Sequence, residues 1–479
     1  MKSKWTVFIT IVLALALIVT MSAVGCKAEP EVVEKIVTET VVETVIVKET
    51  APEEPVELLV WSEPFETSFA DMGTFTWADC VADYAADTGS NVKVKVVEYP
   101  FGGLSEAVLV ALQSGTFPDI YYGSINRIMP LIQLGVMEEI PEGIQSTDVW
   151  MDKAFELGVS QGKRYMAFQH TAVFPLLVNR ALFEKAGIMD LLPDEDTRSW
   201  SRADFEAAIK AIDALGPDIY GISFDLVWND TDKGNDGFVW ADGDGWTDET
   251  YRKATFNTPK SIENFEWIVG IMRGEGVYPN PLSVDVFPQL EDFYNGKIGI
   301  TCCYLANEAQ EAYKKIEEGT ITRDVCDPYY VLFPTDDGSP SKLLTIGDGW
   351  AMKKQDDAAK IAAAQDFLKW ANDPEQSLHL QAKMNFPLPS LLLKGYAESL
   401  DIPEGLEEHY NLYFMASLPG VEPTILPAAI PGFPRLRTVW HENIQLAYSG
   451  DLTPEEARNK MQEEAQAVID EEAAKIPQT

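Results

Sequence analysis

Leu104–Ile140 reads LSEAVLVALQSGTFPDIYYGSINRIMPLIQLGVMEEI. Leu104, Val108, Leu109 and Leu112 recur at helical spacing, which predicts an amphipathic helix over Leu104–Gln113. Ser114-Gly115 ends it, because glycine takes the left-handed conformation that closes a helix. Pro118 admits a short apolar strand, Asp119–Tyr122. Gly123–Asn126 reads as a loop, and Ile128, Leu131, Ile132 and Leu134 start a second amphipathic segment. Helix, strand, loop, helix is the unit of an open α/β sheet. Ligands of such sheets sit at the carboxyl ends of the strands, here Gly123–Arg127.

The chain around this unit has 479 residues, long enough for two or three domains, and its 46% apolar content is ordinary for a globular protein. It carries 76 acidic against 37 basic residues, a formal charge of −39. Nucleic-acid binding needs clustered Lys and Arg to neutralise phosphates, so that class is excluded. The acidity otherwise describes a soluble surface and names no partner.

Lys2 and Lys4 precede an apolar run from Val7 to Val19, and Ser22, Ala23 and Gly25 lead to Cys26. That is the layout of a secretory signal over residues 1–25. An uncleaved N-terminal anchor is the alternative and gives the same outside location. Residues 26–56 hold no aromatic and alternate β-branched residues with Glu, Thr and Lys, which reads as an acidic stalk. Cys80, Cys302, Cys303 and Cys326 remain after Cys26. No spacing among them suggests zinc, and Cys302 or Cys303 bridged to Cys326 stands beside buried free thiols as an open alternative.

Further along, Val56–Trp61 and Val92–Glu98 read as strands about a helix near Ala70–Thr88. Arg164–Phe168 reads as a further strand. Ser201 and Asp204 form an N-terminal box for a helix burying Phe205, Ile209, Ile212 and Leu215. Trp228–Thr250 reads as a solvated, aspartate-rich loop. Asp230, Asp232, Asp236, Asp242, Asp244 and Asp248 invite calcium, but no register fits the calcium-loop pattern, so no metal is assigned. Thr453, Pro454 and Glu456 start a closing helix with Ala457, Met461, Ala465, Val468 and Ile469 as its apolar stripe.

Four stretches carry a resemblance: SGTFPDIYY…LIQLGVMEEI, LLVNRALFEKAGI, FYNGKIGI and FPTDDGSPSKLLTIGDGWAM. They resemble the extracellular solute-binding proteins of sugar ABC transporters, the maltose-binding type, from about Val56 to the end. Ala23-Val24-Gly25-Cys26 is similar to a bacterial lipoprotein signal, which implies a lipidated Cys26, a membrane anchor and an extracytoplasmic location. The resemblance implies an α/β, two-lobe periplasmic-binding-protein-like fold of type II, with ligand in the interlobe cleft and the lobes joined by chain crossings. One lobe takes 57–168 plus about 335–405, the other 169–334 plus about 406–479. The implied role is capture of a mono- or oligosaccharide and its delivery to permease subunits, with no cofactor and no catalysis. The same fold binding a glycerol phosphate ester, peptide or polyamine is the alternative.

A sugar has C–H faces that pack on rings and hydroxyls that need fixed partners. The candidate wall is therefore Trp61, Trp228, Trp240, Tyr304 and Trp350, with Ser62, Glu63, Asn126, Arg127, His170 and Asp348 as polar partners. Each Trp reads equally as core, Trp350 most evenly, and His170 equally as an ordinary hydrogen-bonded residue. Gly347 and Gly349 would let the backbone approach ligand. Two departures matter. Val178 stands where the family has a tyrosine, so that contact is not carried over, and Tyr304 follows two cysteines where a tryptophan is usual. A secreted glycosidase is the competing class. With 76 acidic residues a carboxylate pair can always be chosen, and no nucleophile, zinc or phosphate-loop motif is present.

Overall fold

A computed structural model describes residues 55–62, 77–99, 104–146, 158–229, 231–302, 308–373, 415, 418–425 and 429–476. The N-terminal leader, Cys26, the stalk, Glu63, Asp230, Cys303 and Tyr304 lie outside them. The chain from Pro55 onward forms one unit.

Thirteen strands occur among the described residues. They begin with β1 (Glu57–Ser62), β2 (Lys93–Glu98), β3 (Ile120–Ser124), β4 (Met137–Glu138), β5 (Val159–Ser160), β6 (Lys163–Arg164) and β7 (Ala167–Val173). β8 (Leu176–Asn179), β9 (Tyr220–Ile222), β10 (Ile298–Cys302), β11 (Pro328–Val331), β12 (Lys342–Lys353) and β13 (Glu422–Ile425) follow. A first sheet runs β13-β12-β3-β1-β2, with β4 and β7 also on β12; a second runs β11-β8-β10-β9. β1 lies parallel to β2 and β3, while β12 is antiparallel to β3 and β7. β7 leads into β8 and β11 into β12, so the chain passes between the sheets at both places.

Successive residues of a strand face opposite sides, and the first sheet is buried on both. Leu58, Val60, Ile120, Tyr122, Trp350 and Met352 pack on the helix Ala358–Ala371 through Phe367 and Trp370. Trp61, Tyr121 and Ala351, one residue out of step, join the main core with Phe168 and the second sheet's residues. The expected helix runs Leu104–Ser114 and Gly115 closes it at φ 72°. The helix Arg180–Ala186 is started by the Asn179 side chain and ended by left-handed Gly187.

Both N-terminal caps form: Ser201 Oγ accepts from the Asp204 amide and donates to the Asp204 carboxylate, and Thr453 and Glu456 complete a reciprocal box. The closing helix Pro454–Ala473 buries all five of its expected stripe residues. Leu215 corrects the reading at the other helix, since it lies beyond the end of Arg202–Asp213 and is exposed.

The aspartate-rich stretch is the larger correction, because it is not solvated. It folds into the short helices Asp232–Asn235 and Gly237–Trp240, with Asp232 and Asp236 fully buried. Asp232 accepts a two-pronged bond from Arg437 (2.9 and 2.8 Å), and Asp236 accepts from Arg458 at 2.9 Å and from the Trp246 indole at 2.6 Å. Asp242 takes Asn264 and Arg202, and Asp244 takes Thr258. The carboxylates are thus committed to protein donors, and no acidic, His or Cys group among the described residues is arranged to hold a metal. Cys326 is a buried free thiol, which removes the bridge to Cys302 or Cys303, and burial raises its pKa.

Candidate ligand-binding site

Strand β3 delivers the first part of the site. Gly123 and Ser124 are still strand, and the helix Ile125–Gln133 starts at once, so the expected loop is absent. Asn126 and Arg127 therefore stand in the first turn of a helix, half-buried, where backbone N–H groups have no intrahelical acceptor. Ser124 Oγ donates to Asn126 Oδ1 at 2.5 Å. Pro130, four residues on, has no N–H to return to the Asn126 carbonyl.

Register brings two more candidates to this place. Asp348 of β12 pairs with Ser124 of β3 on one side and with His170 of β7 on the other. The β7 register shifts between Asp348 and Gly349, a local irregularity beside the candidate residues. One row of backbone thus carries Ser124, Asp348 and His170, with Asn126 and Arg127 projecting just beyond it. Ser62 lies two rungs back, paired with Tyr122, and is buried.

Other candidates fall elsewhere. Trp350 is fully buried, its ring 4.4 Å from Tyr122 and 5.5 Å from Phe367, so it is core. Trp61 is also packed, against Tyr99 at 4.3 Å and Phe117 at 6.1 Å. The space beside Gly347 belongs to the Phe168 ring: an added Cβ would lie 2.5 Å from it, and at Gly349 2.5 Å from the Ala167 carbonyl. Those glycines admit β7 rather than a ligand on that side. Trp240 is buried edge-on to Trp246 at 5.7 Å, and its indole N–H has no hydrogen-bond partner among the described residues.

The second sheet supplies groups that sequence reasoning missed. β9 and β10 are parallel, and Ser223, just past the end of β9, donates through Oγ to Thr301 Oγ1 of β10 at 3.1 Å, both buried. Asp225 follows, wholly enclosed. Its two oxygens accept from the amides of Val227 (2.7 Å) and Val286 (3.1 Å). Burial pushes its pKa up to about 6, and Asp285 adds to the rise while the amides oppose it. Trp228 comes next, half-buried and edge-on to the exposed Phe287 at 5.4 Å. Trp228 was already a candidate platform, whereas the only signal for Ser223, Asp225 and Thr301 was their place at a strand's end.

Comparison with known proteins bears on the family and the fold. Residues 66–377 match the bacterial extracellular solute-binding protein family. No curated protein matches the chain. An ABC transporter solute-binding protein from Thermotoga lettingae, bound with α-D-tagatose, superposes at a TM-score of 0.68 with 17% identity, over 86% of this chain and all of that one. The cyclic α-maltosyl-1,6-maltose binding protein of Arthrobacter globiformis gives 0.65 at 19%, over 87% and 100%. The sugar-binding protein MalE of Xanthomonas citri gives 0.67 at 14%, over 88% and 98%. At these identities the likeness is one of fold, the α/β periplasmic-binding-protein fold. The family match covers more than half of the chain, and with it comes the role of a non-enzymatic ABC-transporter component that binds a small molecule: the chain belongs to the bacterial extracellular solute-binding protein family.

Proposed function

We propose that this protein captures a carbohydrate between two lobes and hands it to the permease subunits of its transporter. The row Ser124–Asp348–His170 with Asn126 and Arg127 beside it is the observation that carries the reading. It gathers hydroxyl, carboxylate, amide and guanidinium groups at the end of a strand and the start of a helix. Uncharged, hydroxyl-rich ligands need donors and acceptors already fixed in this way, because each polar group left unpaired on burial costs about 1–3 kcal/mol. Of three proteins with similar folds, one is bound with tagatose and two are sugar- or maltosyl-maltose-binding proteins, which supports the same class.

In this reading the first lobe is 57–168 plus about 335–405, with β7 and β13 joining its sheet, and the second is the remainder of 169–334 plus about 406–479, the chain crossing after β7 and before β12. Cys26 is the lipidated residue that holds the protein on the outer side of the membrane. Among the described residues no helix is long and apolar enough to cross a bilayer.

The test is a thermal-shift screen of Pro55–Thr479 against mono- and oligosaccharides, glycerol phosphates, peptides and polyamines. A ligand that binds only the folded state raises the melting temperature by mass action. A saccharide is expected to give the shift, and Asn126→Ala with Arg127→Ala to weaken it by about a hundredfold, two lost polar contacts. A shift from polyamines or peptides alone would replace the substrate class. Unchanged affinity in the double variant would remove the site.

A further inference from the structure

Phe287 is the one large ring among the described residues that is both more than half exposed, at 53%, and in ring contact with a second aromatic of the candidate site. The contact is edge-on, 5.4 Å between centroids at 70° to Trp228. Neither ring owes its place to chance packing. Asp225 receives the amide of Val227, the residue before Trp228, on one oxygen and the amide of Val286, the residue before Phe287, on the other. The Asp285 side chain accepts the Phe287 amide at 3.1 Å and starts the helix Val286–Tyr294. Gln289 ties that helix to the Phe224 and Val284 carbonyls, and the Leu226 amide bonds to the Pro281 carbonyl.

Two segments about sixty residues apart are thereby locked so that their rings meet beyond the end of a strand of the parallel pair. Most large apolar side chains are withdrawn from water, and holding one out on an immobile backbone is what a preformed stacking surface requires. An edge-on pair presents one ring's face with the other ring's edge at its side, a corner that fits the C–H face of a pyranose.

We infer that Phe287 is a specificity-determining residue that forms, with Trp228, an apolar corner for the C–H face of a sugar ring. The inference rests on the carbohydrate reading above and adds to it a surface on the second sheet. The corner favours ligands with an uninterrupted C–H face over equally polar ligands without one.

The experiment is titration calorimetry on Pro55–Thr479 with D-glucose, D-tagatose, maltose and maltotriose, in the wild type and in Phe287→Ala, Trp228→Phe and Val110→Ala. Val110 is an exposed apolar residue of the Leu104–Ser114 helix and serves as the control. For the saccharide bound by the wild type, Phe287→Ala is expected to weaken binding about tenfold at an unchanged melting temperature. Trp228→Phe keeps an aromatic face, so it should retain most affinity while losing part of the ligand-induced change in tryptophan emission. Val110→Ala should change neither. Wild-type affinity in Phe287→Ala overturns the corner and leaves the carbohydrate reading standing. A wild type that binds none of the four sugars, nor any other saccharide of the thermal screen, overturns both. An emission change fully preserved in Trp228→Phe also counts against the corner.

Discussion

Arg437 and Arg458 show how a charge can disappear into a fold. A lone cation on a helix is almost never buried. Each instead meets an aspartate brought from more than 200 residues earlier, Asp232 and Asp236. Arg458 also lies over the Phe265 ring at 4.2 Å. Desolvation pulls its pKa below the usual guanidinium range while Asp236 opposes the fall. Removing one partner leaves a buried, uncompensated charge, so Arg458→Met should cost about 3–5 kcal/mol in urea unfolding. Adding Asp236→Asn should recover part of that loss, because the amide oxygen still accepts from Trp246. An Arg458→Met variant with the wild-type midpoint would show the pair to be dispensable. These partners were illegible in the sequence because the pairing is a property of tertiary distance. Trp350 was illegible for a related reason: a strand buried on both faces shows no alternation that says which side a ring takes.

At the scale of elements, local chemistry was readable and chain direction beyond it was not. Ser201, Thr453 and Gly187 act where their residue types say they should, because caps are decided within four residues. The Gly123–Asn126 loop failed as a reading since glycine and serine there continue the strand, and Ser124 passes directly into the helix. The Asp225 turn makes a pH-dependent prediction. Its folded pKa of about 6 lies above the ordinary 3.8, so between those values the folded chain holds a proton that the unfolded chain has released. The contribution to stability is complete below about pH 4 and is lost as pH rises through about 6. Asp225→Asn should therefore flatten the fall in melting temperature between about pH 4 and 6 relative to wild type. Identical slopes in the two proteins would show that Asp225 does not titrate there.

For the molecule as a whole, family motifs and several individual strands were legible from about Val56, while their order in two sheets depended on β12, whose partners lie far away in sequence. Pro55–Thr479 forms its own unit, and residues before it should add nothing to its folding. A fragment starting at Pro55 is expected to melt within a degree or two of the leaderless chain from Lys27, as read by calorimetry. A drop of several degrees would assign the stalk a packing role.

The position of β12 has a consequence for how the protein is made. Three strands of the first sheet, β3, β4 and β7, wait for a partner that ends at Lys353, and the aspartates at 232 and 236 wait for arginines at 437 and 458. Synthesis, at about 5–20 residues per second, is slow relative to loop closure, so these non-local contacts wait for their partners to be made. A growing chain therefore cannot complete either sheet unit before most of it has left the ribosome. That delay leaves the polypeptide open for most of its synthesis.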